Sequence, residues 1–161
     1  MDAHQAKPEF VVVVGFGVPG RAIAELLHAQ GIHYCVIERN VDTVARCEKG
    51  GEHIMTGDAT DPAVLRKAGV ERATMVAVAV PDEKSALAIT KEVHRLNLNA
   101  KILTRCHYIS AGFQAKAAGA VEVIVAEEVV AMAFTHLVGQ MLGDTPVESS
   151  ATSDGAAEPR R

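Results

Sequence analysis

Four consecutive valines, Val11 to Val14, follow Phe10 and run straight into Gly15. A β-branched run that is apolar at every position, not at every second one, suits a strand covered on both faces. That is the environment of a parallel sheet held between two layers of helices. Similar short runs recur at Tyr34 to Ile37, His53 to Met55, Met75 to Val80, Lys101 to Thr104 and Val121 to Val125. Together with Phe10 to Val14 they predict six strands.

Helical stretches lie between them. Pro19 to Gln30 places Ile23, Leu26, Leu27 and Gln30 on one face, with Pro19 at the first helical position, where its missing N–H costs little. Gly31 follows, where a left-handed cap is wanted. Asn40 can cap a helix carrying Val44 and Cys47 that closes at Gly50 and Gly51, and Asp61 can cap a short helix from Pro62 to Ala68. Asp82 to Leu96 is longer, with Leu87, Val93 and Leu96 inward. Consecutive parallel strands need right-handed crossovers, so the expected fold is α/β: a Rossmann-like doubly wound six-stranded parallel sheet in the order 3-2-1-4-5-6.

A segment from Glu127 to Met141 follows the sixth strand, and within it Val129 to Phe134 leave no polar face. A helix apolar all round must be buried on more than one side. The sheet can cover one side, so a second copy of the chain is expected on the other, in a homodimer through this helix. Residues 1–8 read as an N-terminal extension, 9–141 as one nucleotide-binding domain and 142–161, small, polar and without periodicity, as a disordered tail.

Composition narrows the function classes. The 161 residues suit one domain, and 48% hydrophobic with 22% charged residues is enough to bury a core. A net charge of -4 argues against nucleic acid. No apolar run approaches the roughly 18 residues needed to span a bilayer, and the N-terminus carries no signal peptide. Three widely spaced cysteines, Cys35, Cys47 and Cys106, suggest neither disulfides nor zinc. A cytoplasmic protein is expected.

Gly15-Phe16-Gly17-Val18-Pro19-Gly20 is a G-x-G-x-x-G that follows the first strand and opens the first helix, and Glu38 stands at the end of the second strand. In that context Gly15 permits the tight turn, Gly17 lets the backbone approach a phosphate, and Gly20 lets helix and strand pack closely. The helix N-terminus offers unpaired N–H groups to the phosphate. Glu38 can accept hydrogen bonds from both ribose hydroxyls and would repel a 2′-phosphate, whereas Arg39 beside it could reach such a phosphate or stack on adenine. Arg21-Ala22 stands where a Walker loop needs Lys and Ser or Thr, which excludes that type of ATPase. A second string, Gly57-Asp58-Ala59-Thr60-Asp61-Pro62, then Leu65 and Ala68-Gly69-Val70-Glu71-Arg72-Ala73, begins at the carboxyl end of the third strand. There Asp58 and the Ala59 backbone could bond adenine, or Asp58 and Asp61 could serve only as turn and cap residues.

These strings, with Ala118-Gly119-Ala120 and Val123-Ile124 further on, resemble the TrkA-N, or RCK (regulator of potassium conductance), N-terminal domain over about residues 9 to 141. The resemblance implies a regulatory domain of potassium channels, transporters and cation/proton antiporters that binds NAD(H), AMP, ADP or ATP. It implies pairing through the strand-six region and the following helix. It implies that Gly15, Gly17 and Gly20 face phosphate, Glu38 the ribose, and Asp58 and Ala59 the adenine. Arg105 would approach the phosphates or a neighbouring subunit, and Arg105-Cys106-His107-Tyr108 resembles a string of the antiporter branch. Two departures matter. Val18 stands where the family often has an arginine that reaches the outer phosphates, so ATP should not be favoured over AMP, ADP or NAD(H). The sequence also has neither a transmembrane segment nor a second regulatory lobe: if it is a complete chain, a separate membrane potassium or cation transporter or channel is the expected partner, met at the inner face of the membrane; if it is a fragment, its pore has been cut away.

The alternative is a small NAD-dependent oxidoreductase. It would need a catalytic group over the nicotinamide half of the crevice, where only Cys106 and His107 qualify, and no Tyr-x-x-x-Lys is present. The expected protein is not an enzyme.

Overall fold

The computed structural model describes residues 8–143, so the expected N-terminal extension and polar tail lie almost wholly outside the described residues. Six strands, β1 (Phe10–Val14), β2 (His33–Glu38), β3 (Ile54–Thr56), β4 (Met75–Val78), β5 (Lys101–Cys106) and β6 (Glu122–Val125), form one sheet. All neighbouring pairs are parallel, in the order β3-β2-β1-β4-β5-β6. Helices α1 (Val18–Ala29), α2 (Val41–Glu48), α3 (Pro62–Lys67), α4 (Glu83–Leu96) and α5 (Ile109–Ala117) alternate with the strands, and α6 (Ala126–Leu142) follows β6. One turn of 3-10 helix, Val70–Arg72, leads into β4.

Val11 to Val14 are at most 1% exposed, as a strand covered on both faces requires. Their side chains divide by parity. Val11 and Val13 join Phe16, Ala24, Leu27, Val36 and Val44 on the α1 and α2 side. Val12 and Val14 join Leu65, Val76, Val78 and Ile89 on the other. Two cores, one on each face, are what a period of two residues produces in a buried strand.

The helix faces differ in places from what periodicity suggests. In α1 the buried residues are Gly20, Ala24 and Leu27, with Ile23 partly buried, whereas Leu26 is 60% exposed and Gln30 is exposed. The i, i+4, i+7 stripe of small residues lets the helix approach the sheet closely, and Leu26, about 100° away from Leu27 on the helix, falls outside it. Pro19 is the second helical residue, since the helix begins at Val18. The α5 helix had no counterpart in the periodicity reading. It buries Ala111, Gly112 and Ala115 and turns Phe113 (72% exposed) outward, so the usual large-apolar signal is on the wrong side. Strand limits shift too: β3 begins one residue later than read, β4 stops at Val78, and β5 runs on to Cys106. The caps are as read. Asn40 Oδ1 accepts from Thr43 N–H at 3.0 Å and Asp61 Oδ1 from Ala63 N–H at 2.8 Å.

One compact unit extends to Val129, and a second begins at Val130. Helix α6 has no buried residue: Met132, Phe134 and Met141 are 72%, 67% and 87% exposed. Among the described residues no helix is long and apolar enough to cross a membrane.

Candidate functional site

Strand register sets the site. Val14 pairs with Ile37 in β2 and with Val78 in β4, and Glu38 pairs with Thr56 in β3, so the four strands end level. The residues that follow, Gly15, Arg39, Gly57 to Ala59 and Val80, therefore converge on one crevice, joined by Asp82, Ser85 and Ile89 at the start of α4. It lies where strand order reverses between β1 and β4, the usual ligand position in an open α/β sheet.

The three loop glycines have different reasons to be glycine. Gly15 has φ +95°, donates its N–H to Ile37 O at 2.8 Å, and would bring a Cβ to 3.2 Å from Val80 Cγ1. At Gly20 a Cβ would sit 1.9 Å from Gly15 O, so the start of α1 could not pack on the loop. Gly17 is unlike both. Its φ of -69° suits any residue, and a Cβ there would meet only Pro19 Cδ, at 3.9 Å. The fold itself does not require glycine at this position.

Gly17 caps α1 without a side-chain hydrogen bond, and no acid lies in the first turn. Arg21 N–H makes the first helical bond, to Gly17 O at 3.0 Å, and the N–H groups of Gly17, Val18 and Gly20 have no partner among the described residues. Free amides at the positive end of a helix form an anion seat. Val18, 85% exposed, brings no cation to it. Phe16 has an anchoring place instead: its ring is 7% exposed in the core, under the Arg21 guanidinium at 5.4 Å.

Glu38 ties the loop to the second strand. Its Oε2 accepts from Phe16 N–H and its Oε1 from Asn40 N–H, both at 2.8 Å. Each oxygen retains a lone pair for a further donor. Across the mouth, Arg39 Nη1 lies 3.8 Å from Asp58 Oδ2, an exposed pair of small energetic weight. Asp58 Oδ1 accepts from the Thr60 N–H and hydroxyl at 2.9 and 2.7 Å, and these bonds, assisted by Arg39, hold the carboxyl below its ordinary pKa. Ala59 is 5% exposed, and its N–H has no partner among the described residues.

Of the residues singled out in the sequence, Gly15, Glu38, Arg39, Asp58 and Ala59 meet in the crevice, and Gly17 to Gly20 form the start of α1 beside it. Arg105 does not line the crevice. It pairs with Ile124 across β5 and β6, half-buried. Val80, Asp82, Ser85 and Ile89 were missed. Their only sequence signal is position, at the end of the strand that flanks the switch point. The two candidate catalytic groups are poorly disposed for chemistry. Cys106 is 1% exposed with its thiol pKa pushed up by burial and by Glu83, and His107 Nε2 lies 2.9 Å from Pro81 O.

A six-stranded parallel sheet in this order, with a glycine loop and a strand-end carboxylate at its switch point, defines a Rossmann-like domain. The TrkA-N domain profile matches residues 11–126, and the chain belongs to the TrkA-N domain family. It is 32% identical over 97 residues to a glutathione-regulated potassium-efflux system protein of Haemophilus influenzae. That match covers 60% of this chain and 16% of the relative, so the chain spans only a small part of the relative's length. The TrkA-N domain of the inner membrane protein YbaL from Escherichia coli superposes with a TM-score of 0.77 at 24% identity, covering 81% of this chain and 97% of that one. The structure of GsuK bound to ADP superposes with a TM-score of 0.74 at 26% identity, covering 83% of this chain and 34% of that one.

Proposed function

We propose that this chain is a nucleotide sensor controlling potassium transport by a membrane channel, transporter or antiporter, on the cytoplasmic side of the membrane. An adenine nucleotide or NAD(H) lies across the carboxyl edge of the sheet. Its phosphate rests on the amides of Gly17, Val18 and Gly20, its ribose hydroxyls donate to Glu38, and its base lies near Asp58 and Ala59. Arg105 stands outside the lining of the crevice itself. Its place on β5 favours contact with a second subunit, and the chain pairs as a homodimer through α6. The nucleotide shifts the arrangement of paired subunits and so gates the partner, by no more energy than its difference in affinity for the two arrangements.

The observation that carries this reading is Gly17. A tight strand-to-helix turn accounts for Gly15 and Gly20, whereas Gly17 is free of intramolecular constraint and borders unpaired amides. A glycine that only an external group requires is the mark of a backbone kept bare for a ligand. The membership of the TrkA-N family, the potassium-efflux relative and the ADP-bound GsuK support the choice of ligand and partner.

Calorimetric titration with AMP, ADP, ATP and NADH tests the proposal. Binding of at least one, with ATP no more than about tenfold tighter than AMP or ADP, is the expected result, because Val18 supplies no cation for the outer phosphates. No binding of any of the four contradicts the sensor reading.

A further inference from the structure

We propose that Asp82, the N-cap of α4, is a specificity-determining residue: together with Asp58 it selects a purine with a 6-amino group over one with a 6-oxo group. The inference rests on the nucleotide reading above and concerns the same crevice.

The crevice has an apolar floor and a charged rim. Val14, Ile37 and Ile89, each at most 2% exposed, line it from below as its apolar part. Asp58 follows β3 and Asp82 follows β4, so the two carboxylates rise from opposite sides of the strands that end at the floor. Each has one oxygen fully engaged. Asp82 Oδ2 accepts from the Ser85 N–H and hydroxyl at 2.8 and 2.6 Å, as Asp58 Oδ1 does from Thr60. The other oxygens differ: Asp82 Oδ1 has no partner among the described residues, and Asp58 Oδ2 has only Arg39 at 3.8 Å. Lys84 and, more weakly, Arg39 also act electrostatically on Asp82.

Hydrogen-bond polarity follows. Both carboxyls are held below the ordinary pKa, Asp58 by Thr60 and Asp82 by Ser85, and both are anionic near neutral pH. An exocyclic amine presents two N–H donors to such a rim, and the unprotonated N1 beside it can accept from the Ala59 N–H. A 6-oxopurine reverses both: its oxygen turns lone pairs towards two negative charges, and its N1–H opposes an N–H. A site whose buried or fixed acceptors are matched by one analogue and opposed by the other discriminates strongly between them.

Titration of the full chain with ADP and with inosine diphosphate, for the wild type and for Asp82→Asn, separates the possibilities. Asn is as good an N-cap as Asp, so the fold is kept, while its amide supplies a donor for a 6-oxo group. The wild type is expected to prefer ADP by about tenfold or more, and Asp82→Asn to lose most of that preference through tighter binding of inosine diphosphate. Asp82→Ser, which keeps a capping oxygen without the charge, should lose part of it and serves if the Asn variant is unstable. An unchanged ADP to inosine diphosphate ratio in a variant that still binds ADP overturns the role of Asp82 and leaves the sensor intact. A wild type that binds neither nucleotide overturns both.

Discussion

A methyl group added at Gly20 should cost stability, whereas one added three residues earlier, at Gly17, should not. Gly20→Ala places a Cβ 1.9 Å from Gly15 O, against backbone that cannot move aside, and is predicted to cost about 3 kcal/mol in urea unfolding. Glu38→Ala removes the acceptor of Phe16 N–H and Asn40 N–H. It should lower stability by about 1 to 2 kcal/mol and abolish measurable nucleotide binding, and an unaltered affinity would remove Glu38 from the site. Asp58 and Asp82 have a pH signature. Their folded pKa values lie below the ordinary 3.8, so the unfolded chain takes up protons first. Their contribution is complete above about pH 4 and is lost as pH falls through the lowered values, and Asp82→Asn should shrink the acid limb of a thermal-midpoint profile. The glycines and Glu38 were legible in the sequence because loop and strand end are near neighbours through β1 and β2. Asp82 and Ser85 were not, because the crossover into β4 and α4, and not any local pattern, brings them to the crevice.

At the scale of elements, reading succeeded where burial is two-sided and failed where it depends on small residues. The valines of β1 announce their strand because every side chain is large and apolar, whereas α5 hides its buried face in Ala111, Gly112 and Ala115. Cross-element polar links are equally invisible along the chain. Asn97, after α4, donates from Nδ2 to Val70 O at 2.8 Å and Ala73 O at 2.9 Å, and its Oδ1 accepts from Asn99 N–H and Ala100 N–H at 3.0 and 3.1 Å. One side chain thus joins the 3-10 turn before β4 to the lead-in of β5. Asn97→Ala is predicted to lower stability by about 2 to 3 kcal/mol in urea unfolding while leaving nucleotide affinity unchanged, since the residue is at the opposite sheet edge from the crevice. A loss below about 0.5 kcal/mol would show the network to be dispensable.

For the whole molecule, the proposed control of transport needs a ligand site and a means of transmitting its occupancy to a partner. Helix α6, with Val130, Met132 and Phe134 all more than half exposed, offers an apolar surface for the proposed pairing. Sedimentation equilibrium should find a dimer, and Val130→Lys with Phe134→Lys should yield a monomer that still binds nucleotide; a monomeric wild type would remove the pairing. The most direct measurement of the central claim is a calorimetric titration with ADP of the wild type and Gly17→Ala, with thermal midpoints recorded for both. The account predicts equal stability to within about 0.5 kcal/mol, because the added methyl meets only Pro19 Cδ at 3.9 Å, and ADP affinity weakened about tenfold or more, because the same methyl intrudes on the bare amides. Equal affinity for the two proteins, or no ADP binding by the wild type, would contradict it.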